Sequence, residues 1–202
     1  APVSRVAGLV TLVAVSPRTF RYSIFQVASI ITTTGFATAD FNLWPELSKC
    51  ILLLIMVIGA CAGSTGGGVK VSRFLILWKS ILKQVKGMLH PKSVNVVKVN
   101  GKKISNETLQ GVYAYFSAYV FVFGISVLLV ALDNFDFATT ISGVLTTLSN
   151  VGPGISRVGP IENFQSFSVL SKIVFSMDML IGRLEIFPFL MICSPSFWRK
   201  HF

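Results

Sequence analysis

The sequence predicts an all-α membrane protein of repeated helix–loop–helix units, with re-entrant half-helices and a broken transmembrane helix. Three observations predict it. The first is composition: 52% of the 202 residues are hydrophobic and only 13% are charged, with a mean hydropathy of +0.71, whereas a soluble domain carries roughly 25% charged residues. The second is residues 112–132, VYAYFSAYVFVFGISVLLVAL, a charge-free run of the ~20 residues that a bilayer crossing needs. The third is an order of elements that occurs twice: spanning helix, short apolar helix, glycine kink, spanning helix. Its two kink glycines, Gly35 and Gly152, stand 117 residues apart.

Residues 6–15 read as the tail of a spanning helix. Residues 20–31, FRYSIFQVASII, predict an apolar helix too short to cross, since each residue adds only about 1.5 Å. It ends in TTTGF, and residues 37–46 follow as a polar loop with Asp40 and Glu46. Residues 47–62 predict an apolar helix that breaks at GSTGGG, 63–68, and continues as FLILW, 74–78. A basic loop comes next. Ser105 is the expected N-cap of the following helix, with Glu107 in its first turn. After the span at 112–132 an acidic turn holds Asp133 and Asp136. Residues 137–148, FATTISGVLTTL, repeat the short apolar helix and end in SNVGPG, 149–154. A polar loop with Glu162, a long apolar segment at 167–193 and a basic tail with Arg199 and Lys200 complete the chain.

The net charge of +10 invites a nucleic-acid reading, which its location excludes. Lys70, Arg73, Lys79, Lys83, Lys86, Lys92, Lys98, Lys102 and Lys103 stand together with no acid among them. A basic segment between two spans is the positive-inside signature, so residues 79–104 are expected in the cytoplasm and the kinks on the outer side. The lipid bilayer is the expected surrounding. Cys50, Cys61 and Cys193 lack metal-ligand spacing and read as buried small apolar residues. The sequence starts without Met, and the expectation is that it begins partway through a larger protein.

Irregular backbone at membrane depth is tolerated where it is buried in protein or lines an aqueous cavity. Two equivalent kinks therefore point to a polar path. Glycine permits a positive φ without a Cβ clash, and exposed carbonyls can replace the hydration shell of a cation. Both half-helices end at the kinks, so their negative dipole ends favour a cation there. Thr33, Thr34 and Gly35, with Asn150, Val151 and Gly152, are the candidate filter residues.

These residues resemble the Trk/Ktr/HKT superfamily of potassium transporters, most closely the bacterial Trk/Ktr-type membrane subunit. TTTGF with its FQVASI lead-in is similar to that family's third pore loop, and SNVGPG to its fourth. GSTGGGVKVSR resembles the glycine-rich break of the third repeat, and GRLEIFP, 182–188, the end of the last helix. The resemblance implies helix–pore loop–helix units of a potassium-channel-like pore. Residues 1–104 would be the third repeat, its first helix truncated, with a basic linker. Residues 105–202 would be the fourth. It also implies a homodimer of complete chains in the cell (inner) membrane and a cytoplasmic nucleotide-binding regulatory subunit. A glycine at the filter position of every repeat goes with potassium selectivity in the family, and a serine in one repeat admits sodium.

GSTGGGVK is not a phosphate-binding loop, because Val69 separates Gly68 from Lys70 and the context is a broken membrane helix. Gly63, Ser64, Thr65, Gly66, Gly67 and Gly68 read either as a close-packing patch or, as the resemblance implies, as an intramembrane gate loop. Arg183, Glu185, Lys172 and Asp178 lie in an apolar segment, where charges face a pore or one another. Arg183 either snorkels to the inner interface or, the preferred reading, stands in the pore as an electrostatic barrier. No nucleophile, metal cluster or cofactor motif is visible. The expectation is potassium uptake without enzymatic chemistry, with potassium the only metal, held at the filter. The alternatives are a non-conducting docking subunit for a cytosolic partner and a cation transporter that also passes sodium.

Overall fold

The structure, a computed structural model, describes residues 17–61, 63–64, 66–90, 96–99 and 101–193. The helix tail expected at 6–15, Thr65 and the basic tail lie outside the described residues. The chain is mostly helical. Helix α1 is Pro17–Ile31, α2 is Glu46–Ile58, α3 is Val71–Leu89, α4 is Asn106–Val130, α5 is Phe137–Leu148, α6 is Val169–Leu184 and α7 is Ile186–Cys193. A two-residue ladder, β1 (Lys98–Val99) against β2 (Lys102–Lys103), joins α3 to α4.

Length separates the helices into kinds. The stretch Asn106–Asp133 has 28 residues and a mean hydropathy of 2.2, long and apolar enough to cross a membrane. Ser105 caps it, accepting from the Thr108 N–H at 3.2 Å. Helices α1 and α5, with 15 and 12 residues, reach only about 22 and 18 Å at the helical rise. They stop well short of the ~30 Å hydrocarbon core. Large apolar side chains stand exposed on α1 (Phe20, Ile24), α3 (Trp78, Leu89), α4 (Phe121, Leu128) and α6 (Val169, Ile173). Such continuous apolar surface suits lipid rather than water.

Three sequence expectations need correction. The helix expected at 47–62 stops at Ile58, where Gly59 takes φ +69 and its N–H closes on the Ile55 carbonyl. The basic segment expected as a loop is helical from Val71 to Leu89. The apolar residues at 74, 75, 78, 81, 82, 85, 88 and 89 keep the helical period through the lysines. The segment expected as one run at 167–193 is broken at Glu185, which has φ +63. Pro188 explains that break, because its ring cannot coexist with a helical Leu184 carbonyl four residues back.

Helix α5 is the centre of the fold, enclosed by α2, α4 and α6, and buried along most of its length. Three apolar clusters surround it. Ile30, Phe41, Leu52, Met56, Leu145, Val151 and Ile155 join α1 and α2 to α5. Val69, Tyr115, Tyr119, Leu148 and Ile186 pack at the other end of α5. Val130, Val144, Val158, Phe167 and Phe175 lie between α4, α5 and α6. Phe123 packs against all three. Contrary to expectation, Cys50 and Cys61 are exposed; the surface there is apolar enough that a small apolar residue need not be inside the chain to be out of water.

Candidate functional site

The two kinks have the same local structure, residue for residue, at the offset of 117. In the first, the Thr33 N–H donates to the Ile30 carbonyl at 3.1 Å and the Thr34 N–H to Ser29 at 2.8 Å. In the second, Asn150 donates to Thr147 at 3.1 Å and Val151 to Thr146 at 3.0 Å. These are paired Schellman closures, which end a helix on a left-handed residue. Thr33 and Asn150 are those residues, with φ +55 and +54. Asparagine enters that region readily, whereas a β-branched threonine there is an outlier and stores roughly 1–3 kcal/mol of strain. Gly35 and Gly152 follow at φ +78 and +109. Side chains match too. The Ser29 hydroxyl donates to the Phe36 carbonyl at 2.6 Å, and the Thr146 hydroxyl to that of Pro153 at 3.2 Å.

The kinks touch. A Cβ on Gly35 would lie 2.0 Å from the Val151 carbonyl oxygen, so only glycine lets the two backbones meet. Among the described residues, nothing lies within 4 Å of the same position at Gly152. The carbonyls of Thr32, Thr33, Thr34, Gly35, Ser149, Asn150, Val151 and Gly152 take no part in the backbone hydrogen bonds that close the two kinks. Carbonyls left outside such closures at the ends of apolar half-helices need a polar partner.

The glycine-rich loop lies against the helix-proximal end of both kinks. A Cβ on Gly66 would lie 3.0 Å from the Thr33 hydroxyl, and one on Gly67 only 2.3 Å from the Ser149 carbonyl oxygen. Gly68, at φ +80, is held by the close backbone of Met56 and Val57. A Cβ on Gly63 would meet none of the described residues within 4 Å, and the Ser64 hydroxyl accepts from the Gly66 N–H at 3.1 Å. Thr65 lies outside the described residues.

The sequence matches the TrkH family, described as cation transport protein, over residues 9–200. The chain belongs to the TrkH family. It is 38% identical over 182 residues to the Trk system potassium uptake protein TrkH of Escherichia coli, spanning 90% of this chain and 37% of that protein. It is 39% identical over 181 residues to the TrkH of Vibrio parahaemolyticus, again 90% of this chain and 37% of that protein. The fold is similar to the crystal structure of the potassium transporter TrkH from Vibrio parahaemolyticus, with a TM-score of 0.83 and 38% identity over 96% of this chain and 42% of that one. The chain therefore spans well under half the length of these relatives.

Within this TrkH-family chain, the structure brings both kinks and the glycine loop together. Arg183 occupies the last turn of α6 and is exposed. It follows Gly182, where a Cβ would lie 2.0 Å from the Leu148 carbonyl oxygen at the end of α5. Gly182 was not singled out by sequence reasoning. Its signal was a small residue in an apolar helix, where backbones approach closely.

The remaining charges have structural partners. Asp178 accepts from the Ser126 hydroxyl at 2.7 Å, within its own half of the chain. Lys172 donates to the Gln165 carbonyl at 2.9 Å. Glu185 was expected to face a pore or the neighbouring Arg183; it instead reaches across 115 residues to Lys70 at 2.5 Å and takes Arg73 at 2.7 Å. The four acids of the polar loop and the acidic turn also have partners within the chain. Asp40 accepts from the Asn42 N–H at 3.0 Å and Asp133 from the Ser168 N–H at 2.9 Å. Glu46 pairs with Lys49 at 2.6 Å. Asp136 caps α5 through the Thr139 N–H at 3.1 Å and hydroxyl at 2.6 Å. Asn42 was also missed. It donates to and accepts from the Ser156 backbone at 3.0 and 2.9 Å, tying the two outer loops together.

Proposed function

We propose that this chain supplies two walls of a potassium-conducting pore, the third and fourth repeats of a transporter subunit in the cell membrane. One observation carries the reading: two half-helices with matching endings bring their kink backbones, and the carbonyl oxygens these carry, into contact. Oxygens so presented suit a dehydrated cation, and two helix C-termini add favourable negative potential. Potassium is the cation, because the relatives are named potassium uptake proteins and both visible kinks carry glycine. Thr33, Thr34, Gly35, Asn150, Val151 and Gly152 line the filter.

The glycine loop, residues 63–68, is the gate. Its contacts with Thr33 and Ser149 support a position directly inside the filter. Arg183, one residue beyond the contact of α6 with the end of α5, supplies a positive barrier there. The kinks face outward and residues 79–104 face the cytoplasm, following the positive charge. The conducting unit requires further walls beyond this chain. A dimer of complete chains and a cytoplasmic nucleotide-binding regulator belong to the same reading.

Rubidium uptake into liposomes tests it, using the full-length protein with and without Gly35→Ser. The expected result is uptake blocked by potassium and not sodium, with sodium competing in the variant. Flux indifferent to Gly35 from folded protein would remove the filter assignment.

A further inference from the structure

We propose that Glu185 is a positioning residue for the glycine-rich loop, a latch that holds the loop's inner end against the break between α6 and α7. The proposal rests on the reading of that loop as a gate. Lys70 is the residue at which the loop re-enters helix α3, and Arg73 is one turn further. Two cations at a helix N-terminus oppose the helix dipole. Glu185 supplies the missing negative charge from another helix, one carboxylate oxygen on Lys70 at 2.5 Å and the other on Arg73 at 2.7 Å.

The backbone at both ends of this contact is strained. Lys70 has φ +71, ψ 134, and Glu185 has φ +63, ψ 151. Non-glycine residues persist near that conformation only where their surroundings over-determine it, and they gather at switch regions. Here the ion pairs join one strained residue to the other. Arg73 is fixed further by its guanidinium, 4.0 Å above the Tyr115 ring. The Tyr115 hydroxyl in turn donates to the Gly68 carbonyl at 3.4 Å. The buried Nη1 of Arg73 has no hydrogen-bond partner. The cluster thus grips the last glycine of the loop, the first turn of α3 and the α6–α7 break at once. Neutralising Glu185 removes the charge-assisted bonds and leaves the strain at Lys70 free to relax.

The test reads the loop directly. Full-length protein with Cys50, Cys61 and Cys193 changed to Ser receives Val69→Cys, a loop position only 1% exposed. Modification by a water-soluble thiol reagent is timed in reconstituted vesicles. Glu185→Gln is expected to speed it about tenfold, a population shift set by loss of the charge-assisted pair, with Glu185→Asp restoring most protection. Rubidium flux is expected to rise in Glu185→Gln in parallel. If Glu185→Gln does not fold, Lys70→Gln reports the same contact from the other side. Equal protection in the folded variant, or failure of both variants to fold while Glu185→Asp folds, would overturn the latch. Absence of rubidium flux in the unmodified protein would instead overturn the transport reading, leaving the labelling result intact.

Discussion

Asp136 accepts from both the backbone and the hydroxyl of Thr139, which closes the N-terminus of α5. That hydroxyl is the chief reason its carboxyl is held below the usual carboxylate range, against a smaller opposing effect of burial. A carboxylate with a depressed folded-state pKa stabilises above its unfolded value, about 4, and the benefit is lost as pH falls through the folded value. Asp136→Ala is expected to cost about 1 kcal/mol at neutral pH, the usual worth of an N-cap. The variant's melting-temperature deficit in detergent should shrink as pH is lowered below about 4. A deficit constant with pH would show that the carboxylate charge is not the source. Sequence reasoning placed Asp136 in an acidic turn and assigned it no cap. The Asp–x–x–Thr spacing ahead of an apolar helix was the overlooked sign of a cap.

The short lengths of α1 and α5 and the kinks that end them were legible because they follow from local rules. An apolar run of a dozen residues stopped by a glycine kink cannot cross a bilayer, and α1 and α5 are such runs. The breaks were less legible. Pro188 marked the one after α6, yet the apolar character of its flanks concealed it. The extension of α3 through the turns that carry Lys79, Lys83 and Lys86 was hidden by charge, although the apolar period persisted. Contacts between elements were not legible at all. Gly182 shows why: a glycine's neighbour is set by how two helices cross, not by either helix alone. Gly182→Ala would force α6 from the Leu148 carbonyl, and overpacking of this kind costs roughly 1–3 kcal/mol. A lower melting temperature with unchanged helix content is the expected result, measured by circular dichroism in detergent. An unchanged melting temperature would mean that the α5–α6 contact is loose.

At the scale of the whole molecule, the two kinks are equivalent in sequence order and in hydrogen bonding but not in surroundings. Gly35 is pressed against the Val151 carbonyl, whereas the same position at Gly152 meets none of the described residues. If each wall's glycine packs on the carbonyl of the next wall, Gly152 awaits a neighbour that the described residues do not supply. The family membership and the shared length with relatives, 37% of the Escherichia coli protein, agree with further walls. The repeated order was readable from the sequence because it recurs in the elements. The proposed ring was not, because contacts between walls are set by how elements pack and not by the order in which they recur. The two glycines give a direct test. Both have positive φ, so an alanine at either pays a backbone cost of about 1–2 kcal/mol. Gly35→Ala adds a collision. In the full-length protein, Gly152→Ala is expected to damage stability and potassium selectivity as severely as Gly35→Ala, because the next wall would collide with it too. Paired melting and rubidium-competition measurements decide it. A Gly152→Ala variant showing only the backbone cost would mean that the face of the second kink stays open, and a closed ring of four walls would have to be abandoned.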